Sequence, residues 1–90
     1  MKRFDWDPDK NLRLQAERNV SFEDVVTAIA SGYLLDVEPG RASYPHQQVY
    51  IVALEGYAYM VPHVDEGDTC FLKTIIPSRV HTKHFFSQDK

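Results

Sequence analysis

Cysteine is almost missing from this chain, with Cys70 the only one. A lone thiol cannot close an internal disulfide, so no oxidising compartment is implied and the fold must hold without cross-links. Long apolar runs are missing too. No stretch reaches the ~20 apolar residues that cross a bilayer. Met1-Lys2-Arg3-Phe4-Asp5-Trp6-Asp7 has no apolar run behind its two basic residues, so neither a signal peptide nor a membrane anchor is expected. The expected location is the cytoplasm, with no membrane partner. Internal repeats, linkers and low-complexity stretches are absent. So are a P-loop, a Rossmann glycine pattern, a paired-cysteine zinc motif and a nucleophile elbow, which removes the function classes those motifs mark.

What is present suits one small domain spanning residues 1–90. Hydrophobic residues make up 43% of the chain, enough for one core. A chain of this size buries only a little over ~60% of its unfolded surface, so a modest stability margin is expected. Five Tyr, five Phe and one Trp argue against a disordered tail. The net charge is −3, which argues against a nonspecific nucleic-acid coat. The charge is unevenly spread, however. Asp5, Asp7 and Asp9 cluster at one end, and Asp65, Glu66 and Asp68 in a turn. Between Thr69 and Gln88 there is no acid, while Lys73, Arg79, His81, Lys83 and His84 all fall there.

The first third of the chain reads as helical. Asp7-Pro8 is a helix start: Asp7 can cap free N–H groups, and Pro8 loses nothing at the first helical position. That helix is expected from Pro8 to about Arg18, with Leu12 and Ala16 on one face and Asn19 as a left-handed cap. Ser21 opens a second helix with Glu23 and Asp24 in its first turn, a buried stripe of Phe22, Val25, Val26 and Ile29, and a stop at Ser31-Gly32. The period then changes to two. Strands are expected at 33–37, 48–54, 57–61 and 69–76, with Glu55-Gly56 closing a hairpin and Pro77 ending the last strand. Ser78 is expected to cap a short helix from Arg79 to Phe86. The sum is an α+β fold: two N-terminal helices packed on one face of an antiparallel sheet of about four strands, then a short C-terminal helix.

Chemistry is best sought near the C-terminus. Arg79 follows an apolar strand beside a helix start, where a bidentate guanidinium and free N–H groups suit a phosphate. Lys73 shares a phase with Phe71 and Ile75 and is expected at a sheet border near Arg79. A snorkelling surface cation is the simpler account of it. His81 and His84 lie three apart, a spacing that can chelate a metal. Only His46, His63 and distant acids could complete such a site, so no metal and no other cofactor is expected. Cys70 reads as a small core residue. His46 sits in the polar loop Arg41-Ala42-Ser43-Tyr44-Pro45-His46-Gln47, and histidine titrates in the range useful for acid–base work. Tyr50, Tyr57 and Tyr59 form an aromatic strip that is either packing or a base-stacking surface.

Three segments together resemble the BrnT-type toxins of bacterial toxin–antitoxin pairs. Phe4-Asp5-Trp6-Asp7-Pro8-Asp9-Lys10 resembles that family's opening. Val20-Ser21-Phe22-Glu23-Asp24 resembles its Val-Ser-Phe-Glu-acid step, and Ile75-Ile76-Pro77-Ser78-Arg79 with Thr82-Lys83 resembles its apolar strand, arginine and basic helix. The chain departs from the family at Leu14, at Glu17-Arg18-Asn19, at His46-Gln47-Gln48 and near Phe85. The resemblance implies a RelE-like α+β fold, RNA cleavage that inhibits translation and growth, and a cognate antitoxin as partner. On that basis Arg79 and Lys73 are the expected phosphate stabilisers and His81 or His46 the acid or base. Lys83, His84, Arg41 and Tyr44 are the residues expected to hold the RNA. The departures leave a second reading open, a non-catalytic module of the same fold that binds RNA, the ribosome or a protein. A homodimer through a patch meant for the partner is also open.

Overall fold

The computed structural model describes residues 3–40 and 47–86. Two helices form where the sequence supplies caps. Helix α1 (Pro8–Arg18) starts behind Asp7, whose carboxylate accepts the Asp9 N–H at 3.0 Å, and ends at Asn19 in the left-handed region (φ 58°). Helix α2 (Phe22–Ala30) starts with a full capping box between Ser21 and Asp24. Its face is the expected one: Phe22 and Val25 are buried, with Val26 and Ile29 packed at the margin. Burying the Phe22 ring completely contributes on the order of 1.5–3 kcal/mol.

Helix α1 is turned differently from the expected Leu12/Ala16 face. Leu12 is 64% exposed, while Asn11 and Leu14 face inward. The reason is a polar contact. Asn11 Oδ1 accepts the Phe22 N–H at 2.8 Å, and its Nδ2 donates to the Glu23 carboxylate at 2.8 Å. That pair of bonds satisfies an orphan donor at the start of α2 and fixes how α1 lies against it.

The remaining elements are β1 (Arg3–Asp5), β2 (Leu34–Pro39), β3 (Gln48–Leu54), β4 (Tyr57–Glu66), β5 (Thr69–Leu72), β6 (Ile76–Pro77) and α3 (Arg79–Phe86). The strands make one mixed sheet in the order β1-β5-β4-β3-β2, with β6 also pairing β4. The α+β class is as expected, but the sheet is larger than four antiparallel strands. Phe4 and its neighbours form a true strand, parallel to β5, with Phe4 opposite Cys70.

The expected single strand from Thr69 to Ile76 is broken in two. His63 pairs Leu72, yet Met60 pairs Ile76, so three residues (73–75) face two on β4. Pro62 lies at the break. Its carbonyl accepts the Lys73 N–H at 2.8 Å, but it has no N–H to return, so the ladder bulges there. The bulge also reverses the side-chain phase. Ile75 joins the core with Leu72, while Lys73 stays outside over the Phe71 ring at 5.4 Å. Phe71 and Lys73 therefore share a face as expected, while Ile75 turns to the other one.

Strands β3 and β4 join through Glu55 and Gly56, with φ of 53° and 78°. Two left-handed residues in succession make the turn type whose twist matches a hairpin.

The core lies on both faces of the sheet. Val52, Val61, Cys70 and Leu72 pack against α1 and α2. On the other face Val49, Ile51 and Ala58 pack with Leu35, Met60, Phe85 and Phe86. Helix α3 thus covers the face opposite the first two helices, which corrects the expected one-sided layering.

Candidate functional site

The start of α3 gathers the polar chemistry. Ser78 is buried and its N–H donates to the Ala58 carbonyl at 3.0 Å, which anchors the helix start on β4. Thr82, one turn on, reinforces the anchor: its Oγ1 accepts the Ala58 N–H at 2.9 Å and donates to the Ser78 carbonyl at 2.7 Å. The Ser78 hydroxyl caps the helix by accepting the His81 N–H at 3.2 Å.

The same hydroxyl lies 2.6 Å from His81 Nδ1, and His81 Nε2 lies 2.9 Å from Glu38 Oε2 on β2. Donor bookkeeping assigns the protons. An ionised carboxylate only accepts, so Nε2 carries the hydrogen. In the neutral ring Nδ1 is then the acceptor, and the Ser78 hydroxyl donates to it. Glu38, His81 and Ser78 form a proton relay with a carboxylate at one end and a hydroxyl at the other, the generic arrangement that makes a hydroxyl more nucleophilic or a bound water more basic.

Arg79 and Lys83 are exposed on this helix, and His84 is exposed with its ring edge-on to Phe85 at 4.7 Å. A cavity of ≈ 400 Å³ adjoins the relay, lined by Glu38, Gly40, Gln47, Val49, Met60 and Ile76. Gly40 and Gln47 are hydrogen-bonded to each other at 2.9 Å. Arg41, Tyr44 and His46, expected in the site, lie outside the described residues, in the chain between those two.

Lys73 and the start of the Arg79 helix are anchored at separate points on β4. Lys73 is hydrogen-bonded to Pro62, and Ser78 to Ala58. Those anchors are four steps apart along β4, roughly 13 Å at ~3.3 Å per residue. Among the described residues, no group of three metal-donor side chains includes both His81 and His84. Tyr50 and Tyr59 are half-buried against the core, and Tyr57 and Tyr59 meet edge-on at 5.6 Å, so most of the aromatic strip is packing. Burial, then the neighbouring Cys70 thiol, pushes the Tyr50 hydroxyl well above its ordinary pKa. Cys70 is fully buried in the core, as expected.

A larger cleft of ≈ 640 Å³ lies at the hairpin end, lined by Arg18, Tyr33, Glu55, Tyr59 and Phe86 among others. Among the described residues, none of those expected in the site lines it.

His81 and Arg79 carry a signal in the sequence, whereas the contacts of His81 with Ser78 and Glu38 do not. Ser78 was legible only as a cap. Glu38 is 43 residues from His81 and carries no local signal of the pairing. No protein-family model matches the chain, and no curated protein matches its sequence. No helix among the described residues is long and apolar enough to cross a membrane.

Proposed function

We propose that the chain is an RNA-cleaving toxin, a divergent BrnT-type protein of a bacterial toxin–antitoxin pair, silenced by a cognate antitoxin. The observation that carries this reading is the His81 ring held between Ser78 and Glu38, with an exposed arginine next to Ser78 in the chain. Glu38 fixes the tautomer and leaves Nδ1 as the base. The RNA 2′-hydroxyl gives its proton to Ser78 Oγ as the Ser78 proton passes to Nδ1. The 2′-oxygen attacks the adjacent phosphorus, the bond from phosphorus to the 5′-oxygen breaks, and the leaving oxygen takes a proton from water. The products are a 2′,3′-cyclic phosphate and a 5′-hydroxyl. Arg79 neutralises the charge that builds on the phosphorane, with Lys83 and His84 along the backbone. Every proton in this step has a side chain or water to carry it, so the step calls for no metal ion. Arg41, Tyr44 and His46 belong to the segment that joins Gly40 to Gln47, two residues lining the cavity beside Glu38, so they remain candidates for the substrate side. Lys73 is assigned to backbone contact outside the reacting centre.

The test is expression in bacteria with RNA integrity and growth as readouts, comparing the native chain, Arg79→Ala and His81→Ala at equal soluble protein. RNA loss and growth arrest with the native chain alone support the reading. With purified protein, removing one charge-stabilising donor should lower the rate by about 10²–10³. Intact RNA and normal growth with all three overturn it.

One observation favours a second reading, a non-catalytic binding module. Val80 is 75% exposed between Arg79 and His81, and an apolar side chain flanked by a cation suits a protein surface. In that case RNA stays intact, and Val80→Asp abolishes partner capture while leaving the fold unchanged.

A further inference from the structure

A second polar cluster sits on the opposite face of the sheet from α3. His63 and Asp65 alternate on β4, and Cys70 on β5 stands directly across from Asp65. Strand pleating sends all three side chains to the same face. One ligand atom from each, a ring nitrogen, a carboxylate oxygen and a thiol sulfur, lies within 4.8 Å of the other two. We propose that His63, Asp65 and Cys70 form a zinc-binding site.

The donor set is the first argument. Zinc takes nitrogen, sulfur and oxygen together, and a thiolate selects it over magnesium or calcium. Charge is the second. One Zn²⁺ against a thiolate, a carboxylate and a neutral imidazole sums to zero, which removes the penalty for placing the ion where His63 and Cys70 are fully buried. Geometry is the third. Bond lengths of about 2.0–2.3 Å put tetrahedral donor atoms roughly 3.3–3.8 Å apart. The donor atoms, all within 4.8 Å of one another, have to draw in by at most about 1–1.5 Å to reach that spacing.

The surroundings of His63 argue the same way. Its Nδ1 lies 3.2 Å from the Val61 carbonyl. A carbonyl only accepts, so Nδ1 carries the hydrogen and Nε2 keeps the lone pair. Metal-binding histidines are commonly held in one tautomer by such a bond from the other ring nitrogen. The Tyr50 ring stacks on the imidazole at 3.6 Å and 12°, which fixes its plane, and the Tyr50 hydroxyl lies 3.8 Å from Cys70 Sγ. A water fills the fourth position. On binding, Cys70 gives up its thiol proton to solvent, so affinity falls as pH falls. Asp65 is exposed and marks the side from which the ion arrives.

The test uses the purified full chain, titrated with zinc against a chromophoric chelator and, separately, with cobalt. One equivalent of zinc should bind and raise Tm. Cobalt should give an absorption band from thiolate-to-metal charge transfer, which surface histidines cannot produce. Asp65→Asn, at an exposed position, should keep the fold and weaken zinc at least about 10–100-fold, the cost typical of losing even an outer-shell partner. Cys70→Ser should abolish the cobalt band, with far-ultraviolet circular dichroism checking the fold. His84→Ala should change neither. No zinc-dependent Tm shift and no cobalt band in the native chain overturn the proposal. An unchanged affinity in folded Asp65→Asn overturns it as well.

Discussion

Replacing Thr82 by Val tests how α3 is held on the sheet. Valine has the shape of threonine and a similar helix propensity, so the change removes the hydroxyl and little else. The hydroxyl has two jobs. It donates to the Ser78 carbonyl, which keeps a second donor in the Thr82 N–H at 3.0 Å, so that acceptor is not orphaned. It also accepts the Ala58 N–H at 2.9 Å, and Ala58 is fully buried. Losing that acceptor strands a buried donor, which costs about 1–3 kcal/mol. For a chain this small, with a urea m-value near 1 kcal/mol per molar, 2 kcal/mol moves the midpoint by about 2 M. Thr82→Ser keeps the oxygen and removes one methyl group, so it should lose less than about 1 kcal/mol. The assay is urea unfolding of the three proteins, with hydrogen exchange at the Ala58 amide as a local readout. Valine should lower the midpoint and expose that amide, and serine should do neither to the same degree. Equal midpoints for Val and Ser would refute the reasoning, because the Ala58 N–H would then not depend on this oxygen.

Asn11→Leu should destabilise by about 1–3 kcal/mol although leucine is the more apolar residue, because the Phe22 N–H loses its acceptor; a urea midpoint at or above native would contradict this. The Asn11 side chain, followed by the Glu23 backbone, holds the Glu23 carboxyl below its ordinary value of 4.5. A depressed folded pKa gives stability that is complete above the ordinary value and is lost as pH falls through the folded one, so the midpoint difference between native and Glu23→Gln should shrink as pH drops below about 4.5, and a constant difference across that range would sink the assignment. Glu55 holds a left-handed backbone (φ 53°) that costs a non-glycine residue roughly 1 kcal/mol, so Glu55→Asn should raise Tm, and a lower Tm would count against the turn geometry.

The helices were legible because their signals are local. Asp7-Pro8, Asn19, Ser21 with Asp24, and Ser78 each mark a terminus through bonds made within a few residues. The rotation of α1 was not legible. It depends on Asn11 finding a donor in another helix, and a rule that sorts residues by polarity places an asparagine outside. The break between β5 and β6 was missed for a related reason. The 69–76 segment looks like one strand when read alone, and the proline that interrupts its ladder is on β4. The one-sided layering failed because the alternation of β3, with Val49 and Ile51 on one face and Val52 on the other, makes both faces apolar. A second helix layer is the physical consequence.

The candidate site shows how one irregularity governs chemistry far from it. His81 was singled out because its side chain suits proton transfer, but its carboxylate partner depends on sheet register. Leu34 pairs Val52, yet Asp36 pairs Ile51, so the β2–β3 ladder slips by one residue there. Beyond the slip Glu38 pairs Val49, whose side chain is on the face that α3 covers. Without it the ladder begun by Leu34 would set Glu38 opposite Gln48, one residue out of phase with Val49. Since successive side chains of a strand alternate faces, the carboxylate would then point to the side of α1 and α2, away from His81. Bulges commonly re-aim a side chain near a working site, and this one does so for a residue three positions further along the strand. The Ser78–His81–Glu38 relay therefore rests on backbone geometry at Leu34–Asp36 as much as on the three side chains that form it.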